Sequence, residues 1–284
     1  MERVVKAALI PPIKHLDEFG SGPFHLLLTH LLDKPTYKRH YKAQRKSGAY
    51  LVLDNSAHEH GAGQDPVSLL KAGFELDAQE IVVPDVLDNA EKTIEACLAA
   101  HEEWFEGGSR EILDAYSPAF MYVPQGKDES DWLICLNCLV QIHQYCARKY
   151  SLRRDFVIGV SKDYDAWDGG VLKLLEEHVV PIRETLAQSG IKMSVHMLGW
   201  MRNLRNLQVI AAKHKWIRST DSAKPFVYAL AGVDLLESLD TEYPTRPHYY
   251  FSSTFTPRQK KYARNNSWLF QEAAEGTDMR TLAR

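Results

Sequence analysis

The feature that most constrains this chain is the alternation of short apolar, β-branched runs with longer segments of helical period. Eight runs read as strands, at residues 4–11, 25–32, 49–55, 80–86, 119–125, 155–160, 192–198 and 216–220. Between them, residues 35–47, 90–106, 131–150, 170–189 and 203–213 suit helices. Strands separated by helices make βαβ units and a parallel sheet. Eight of them fit a closed barrel, although residues 25–32 also read as part of a helix. A doubly wound open sheet is the alternative, but no Gly-rich phosphate loop follows the first strand as its dinucleotide-binding form requires. The expected fold class is α/β, a (β/α)8 TIM barrel over about residues 1–224 with a C-terminal helical extension over about 225–284. That extension reads as a helix around 229–239, a Pro- and Tyr-rich loop at 243–251 and a terminal helix. No Gly/Ser linker sets it apart, so residues 1–284 are expected to form one domain.

Composition bounds the class further. A length of 284 residues is ordinary for an α/β barrel. With 45% hydrophobic and 25% charged residues, the chain is globular rather than disordered or fibrous. The opening MERVVKAALIPPIKHLDEF lacks the pattern of a secretory signal, and no stretch approaches the roughly 20 apolar residues of a membrane helix. A cytoplasmic protein with no membrane contact is expected. Cys97, Cys135, Cys138 and Cys146 should then be free thiols. Cys135, Cys138, His143 and Cys146 can be drawn as a zinc site. They fall, however, in the helical pattern WLICLNCLVQIHQYCARKY, where Cys packs as a small hydrophobe, whereas structural zinc draws its ligands from knuckles and loops. No metal and no cofactor are expected.

A net charge of −3 does not announce nucleic-acid binding, but the distribution of charge is more suggestive. Lys34, Lys38, Arg39, Lys42, Arg45 and Lys46 form one stretch with no acid after Asp33. A second holds Arg202, Arg205, Lys213 and Lys215, and a third Arg258, Lys260, Lys261 and Arg264. Such clusters suit phosphate contacts, which set affinity without reading sequence. Solvated helix faces give the same pattern, and the two readings stand level.

Polar residues collect where the candidate strands end. Asp54 closes LVLDNS, Asp85 closes IVVPDV, and Gln125 and Gly126 close MYVPQG. Gly159 lies in VIGVS, His196 in SVHMLG, and Asp221 follows IRST. In a barrel these ends open on the face where active sites are built. A single Asp after a strand is an ordinary helix N-cap; capping does not account for three carboxylates, a Gln and Gly-opened backbone together. Hard metals want several oxygen ligands and zinc wants His or Cys, of which only His196 qualifies. Carboxylate pairs without metal serve glycosyl chemistry, one attacking the anomeric carbon and another moving the leaving-group proton. A third carboxylate with a Gln and backbone amides suits an amide-like edge such as that of guanine. Glycosyl transfer or hydrolysis therefore ranks above metal-assisted hydrolysis.

The ordered series Asp54-Asn55-Ser56, residues 81–85, Val123-Pro124-Gln125-Gly126, Ile158-Gly159-Val160, His196-Met197-Leu198-Gly199 and Ser219-Thr220-Asp221-Ser222 resembles the queuine/archaeosine tRNA-guanine transglycosylases. More closely it resembles their shortened phage and bacterial relatives, which put 7-deazaguanines into DNA. Each motif is short, and their order and spacing over about residues 49–222 carry the likeness. The resemblance implies a (β/α)8 barrel and a ping-pong exchange of guanine for a 7-deazaguanine base. It implies Asp221 as nucleophile, Asp54 as general acid/base, and Asp85 as the carboxylate reading the N1 and 2-amino edge of guanine. Gln125 and the backbone at Gly159 and Val160 match the groups around the purine O6. Asn55, Ser56, Gly126, His196, Leu198 and Gly199 fall in the same motifs and are taken as base-binding. Lys38, Arg39, Lys42, Arg202 and Arg205 are taken as contacts to the nucleic-acid backbone.

Two departures qualify the resemblance. The loop Asp-Asn-Ser-Ala-His-Glu lacks the family's paired glycines, which implies a differently shaped base pocket. The tRNA enzymes carry a C-terminal zinc site of three cysteines and a histidine, and no cysteine follows Cys146 here. That subdomain is therefore not expected, and the expected acceptor is DNA rather than tRNA. Blander readings stand beside these: His196 as a buried, satisfied strand histidine, and His58, Glu59 and His60 equally as a lid or a polar surface loop. Tyr249, Tyr250 and Phe251 suit docking of the tail better than stacking on a base. Two rival classes remain, a non-catalytic nucleic-acid-binding subunit and a barrel hydrolase of nucleosides or sugars. Asp54, Asp85 and Asp221 together favour an enzyme.

Overall fold

A computed structural model describes residues 5–150, 155–199, 204–214, 216–237 and 246–278. Its strands are β1 (Lys6–Leu9), β2 (Phe24–Leu28), β3 (Tyr50–Asp54), β4 (Glu80–Val82), β5 (Ala119–Tyr122), β6 (Asp155–Ser161), β7 (Lys192–Leu198) and β8 (Ile217–Ser222). They form one sheet in the order β1-β8-β7-β6-β5-β4-β3-β2. The α-helices are α1 (Leu16–Phe19), α2 (Pro35–Lys46), α3 (Ala57–His60), α4 (Pro66–Leu76), α5 (Ala90–Phe105), α6 (Arg110–Tyr116), α7 (Glu129–Tyr150), α8 (Gly170–Leu174), α9 (Val180–Gln188), α10 (Leu204–Lys213), α11 (Lys224–Ala231) and α12 (Pro257–Ala274). Parallel strands alternating with helices make this an α/β, (β/α)8 TIM-barrel-like fold with a helical C-terminal part. No helix among the described residues is long and apolar enough to cross a membrane.

All eight expected strands form, with several ends moved. β4 stops at Val82 and β5 at Tyr122, short of the expected 86 and 125. Pro84 and Pro124 have no N–H to donate to a ladder, so the chain leaves the sheet before Asp85 and Gln125. Of residues 25–32, the segment with two readings, 25–28 fall in β2 and 29–31 form a 3-10 turn after it. The single helix expected over 170–189 is α8 and α9 joined by one π turn, Leu175–Val179. Pro181 follows in the first turn of α9, where its missing N–H does not support a regular bond back to Glu177. The helix expected at 229–239 runs instead over Lys224–Ala231. Pro225 suits its first turn, and Gly232 ends it at φ 74°, a left-handed conformation that favours glycine. α4 and α6 were not anticipated.

The chain divides into two compact units. The first comprises Met1–Leu26, Pro35–Ala49 and His196–Arg284. In it α12 packs on α11, α10 and β1. Thr256 and Gln259 form a capping box at its start, with Pro257 in the first turn. Phe255 stacks on His15 at 4.4 Å and donates its N–H to His15 Nε2 at 2.9 Å. Asn266, fully buried, accepts from the Leu235 N–H at 3.0 Å and donates to the carbonyls of Pro225 and Val233. Lys260 and Arg264 both pair with Glu18, at 2.7 and 2.6 Å. Tyr250 is buried with its hydroxyl on the Ile10 carbonyl, so the tail docks as expected, while Tyr249 is exposed.

The second unit comprises Leu27–Lys34 and Tyr50–Val195. Behind β5, Trp104 stacks on Phe120 with centroids 5.0 Å apart, an arrangement that contributes about 0.5–1.5 kcal/mol beyond area burial. The Tyr122 hydroxyl lies between His101 Nε2 at 3.0 Å and His143 Nδ1 at 3.3 Å. Burial lowers these imidazoles to about 3 for His101 and about 4 for His143, and lowers His25 in the first unit to about 4. An unfolded imidazole takes up its proton near 6.5. Below that pH the unfolded chain binds more protons than the folded one, and stability is lost as pH falls. The melting temperature should therefore drop steadily from pH 7 to pH 5, with a shallower slope in His101→Phe. A melting temperature flat over that range would contradict it.

Candidate active site

In the second unit the loops after β3, β4, β5 and β6 build a cluster around Asp85. Its carboxylate is 2% exposed, with Oδ1 accepting from Asn55 Nδ2 and Oδ2 from Gln125 Nε2, both at 2.6 Å. Asn55 also donates to the Val83 carbonyl at 2.8 Å, and its Oδ1 accepts the Ala57 N–H at 2.8 Å, so one side chain ties two strand ends. Gln125 Oε1 accepts the Tyr164 hydroxyl at 2.9 Å and the Asp88 N–H at 3.3 Å. Those two donors fix which way the Gln125 amide points, with its NH2 toward Asp85. Tyr164 is held in turn by the Pro124 carbonyl at 2.9 Å. Burial is the largest influence on Asp85 and raises it to about 6, against the lowering effect of the Asn55 and Gln125 amides.

The rest of this unit's expected residues fall close by. Asp54 ends β3 and is half-buried. Ser56, fully buried, adopts φ 59° without being glycine, a conformation that costs about 1–3 kcal/mol unless its surroundings hold it. They do: its Oγ meets Thr29 Oγ1 at 3.0 Å and His30 Nδ1 at 2.9 Å and accepts the His30 N–H at 3.3 Å. The left-handed turn thus survives without the paired glycines. Gly126 is required where it stands, because a Cβ there would lie 2.3 Å from the Trp132 nitrogen. Gly159 and Val160 lie inside β6 and are buried. His58, Glu59 and His60 form the one-turn α3, with His60 edge-on to His30 at 5.6 Å. A cavity of about 460 Å³ opens beside Asp88, lined also by Glu91, Lys127 and Asp131; this mainly acidic wall does not suit phosphate.

In the first unit a second carboxylate is held differently. Asp221 lies inside β8, paired in register with Ala8 of β1, and its side chain is 7% exposed. Its Oδ1 accepts the Gly199 N–H at 2.9 Å and faces His196 Nε2 at 3.0 Å. Gly199 has φ 60°, which turns that N–H back to the carboxylate just past the end of β7. His196 Nδ1 meets Ser219 Oγ at 2.8 Å. Ser, His and Asp in contact suggest a hydrolytic triad, but Ser219 is fully buried, with its hydroxyl between His196 and Arg218. The end of this relay that reaches outward is the carboxylate. Leu198 is the half-exposed last residue of β7.

On α2, Arg39 is exposed and Lys38 and Lys42 are half-exposed, while Tyr37, His40 and Tyr41 face inward. Arg205 is exposed on α10; Arg202 and Lys215 lie outside the described residues. In the third basic stretch Lys260 and Arg264 both pair with Glu18, one carboxylate between two cations. The cysteines Cys135, Cys138 and Cys146 lie on α7 as expected. At 1.5 Å per residue, Cys135 and Cys146 are about 16 Å apart along that helix and do not share an ion. A metal-sized set does occur at Glu129, Glu177 and His178, where ligand atoms lie within 4.8 Å of one another. His178 Nε2 already meets Glu129 Oε1 at 2.5 Å, so a hydrogen bond accounts for it.

Tyr164, His30 and Ser219 are the polar partners that sequence reading missed. No model of a known protein family matches the chain, and no curated protein matches it.

The Asp85 cluster carries its own test. A ligand whose N–H groups donate to Asp85 binds the ionised form, so its affinity should fall about tenfold per pH unit below pH 6. Calorimetry with guanine from pH 7.5 to 5 should show this, and Tyr164→Phe should weaken binding about fivefold by releasing Gln125. Affinity independent of pH over that range would contradict the assignment.

Proposed function

We propose that the chain is a guanine transglycosylase that exchanges guanine in DNA for a 7-deazaguanine base. The observation that carries the reading is the contrast between two buried carboxylates. Asp85 is clamped between two amides and raised to about 6, as suits a group that reads a polar edge. Asp221 has one oxygen held by N–H groups at the end of a buried relay, as suits a nucleophile. The likeness of the motif series to the transglycosylases supports the same division of labour.

In the reaction a target deoxyguanosine leaves its stack, at a cost of a few kcal/mol. Asp85 and Gln125 hold the base edge. The Asp221 carboxylate bonds to C1′ as the C1′–N9 bond breaks, and Asp54 gives its proton to the departing guanine. A glycosyl ester and an Asp54 carboxylate result. The incoming base gives its N9 proton to Asp54 and takes the sugar, which releases Asp221. Two displacements retain the configuration at C1′. Asp221→Ala should abolish exchange, and Asp221→Asn should form no ester.

DNA is the proposed acceptor because the resemblance is closest to the DNA-acting relatives. Contacts from Lys38, Arg39 and Lys42 would make affinity fall with salt, at about −0.9 in slope per neutralised phosphate. Reversing these three charges should weaken binding to all sequences and flatten that slope while base choice stays unchanged. The deciding assay is uptake of labelled guanine into DNA and tRNA side by side. Labelling of DNA is expected; labelling of tRNA alone would overturn the choice of acceptor, and labelling of neither the reading itself.

A further inference from the structure

The two oxygens of Asp221 are not alike. Oδ1 is met by the Gly199 N–H and by His196 Nε2, whereas Oδ2 makes no hydrogen bond among the described residues. Behind His196 the contacts run on to Ser219 Oγ at 2.8 Å, and from there to Arg218 Nε at 3.2 Å. Phe24 flanks the relay, with its ring 6.1 Å from the His196 ring and 6.0 Å from the Arg218 guanidinium carbon. His196 and Ser219 are fully buried, so no bulk water competes for these bonds.

The direction of the relay follows from its two ends. The Asp221 carboxylate that acts as nucleophile has only acceptors, so His196 Nε2 carries the hydrogen and donates to Oδ1. A ring with its hydrogen on one nitrogen accepts at the other. Ser219, which accepts from the Arg218 guanidinium, accordingly donates its hydroxyl to His196 Nδ1.

We propose that His196 is a positioning residue for Asp221: it holds Oδ1, leaves Oδ2 as the oxygen that bonds to the sugar carbon, and is locked in the required tautomer by Ser219 and Arg218. This rests on the transglycosylase reading, in which Asp221 is the nucleophile. A carboxylate pinned through one oxygen keeps only the rotation that aims the other. Loss of the pin leaves the group present but misaimed, which a shift of about 1 Å turns into roughly 10²-fold in rate.

The test joins kinetics to a spectroscopic readout. In the wild-type protein at pH 7, ¹⁵N NMR of labelled histidine should show His196 neutral, with its hydrogen on Nε2. Release of labelled guanine from DNA in a single turnover should slow about 10²-fold in His196→Phe, with the effect in kcat rather than KM. His196→Gln carries an N–H near the place of Nε2 and should recover most of that loss. Ser219→Ala should slow release about fivefold and let the ring populate the other tautomer.

An Nδ1–H ring or a doubly protonated ring at pH 7 would overturn the relay. Equal loss in the Phe and Gln variants would make His196 merely structural and overturn its positioning role. Wild-type release by a folded His196→Phe, with Asp221→Asn inert, would overturn the inference and leave the transglycosylase reading standing. Wild-type release by Asp221→Asn would remove that reading and this inference with it. Should His196→Phe not fold, the ring spectrum and the Gln variant still decide.

Discussion

A parallel strand cannot turn back beside its neighbour, so each of the seven connections between the eight strands must cross through a helix and re-enter in the same direction. Everything chemical in the molecule depends on that constraint. It delivers the last residues of successive strands to one edge of the sheet, in short loops whose backbone no longer serves the ladder. Pro84 and Pro124 make this abrupt: each stands two residues after the end of its strand, and Asp85 and Gln125 come free to face one another at 2.6 Å. A loop that stayed in the sheet would have spent those positions on regular pairing.

The two carboxylates show how environment divides like groups between tasks. Asp85 is met by the amides of Asn55, oriented by the Val83 carbonyl and the Ala57 N–H, and of Gln125, oriented by Tyr164 and the Asp88 N–H. Asp221 is met by a backbone N–H and an imidazole, both on one oxygen. Amides around a buried acid satisfy it while burial still opposes its charge, which fits the donor-reading role proposed for Asp85. One-sided capture of Asp221 leaves its second oxygen for the proposed attack. The cost is visible in the backbone at Ser56, which holds a left-handed turn, whereas Gly199 adopts one without steric penalty.

Much of this was legible in the sequence because it is periodic. The eight strands follow from β-branched runs, and β7 appears with the ends expected of it. Asp54, Asp85, Gln125 and Asp221 stood out because polar residues at strand ends are few and local. The residues of the relay were legible as motifs, but the contact of Ser219 with His196 was not, since it joins two strands across 23 residues. Tyr164 was not, since its bond to Gln125 spans 39 residues and nothing local marks it. His30 was hidden in a segment whose strand or helix character was ambiguous, and it lies on a 3-10 turn. α4 was overlooked although Asp65-Pro66 is a ready N-terminal signal, with the Asp65 carboxylate accepting the Ser68 N–H.

The central claim is that Asp221 becomes covalently joined to the sugar during base exchange. Acid quenching of the protein mixed with guanine-containing DNA, nuclease trimming and peptide mapping by mass spectrometry test it most directly. The account predicts one deoxyribose-bearing adduct, on Asp221 in the peptide from β8, absent from Asp221→Asn and discharged when free base is added before the quench. Exchange proceeding with no adduct on any peptide, or with the sugar on Asp54 or Asp85 instead, would contradict it.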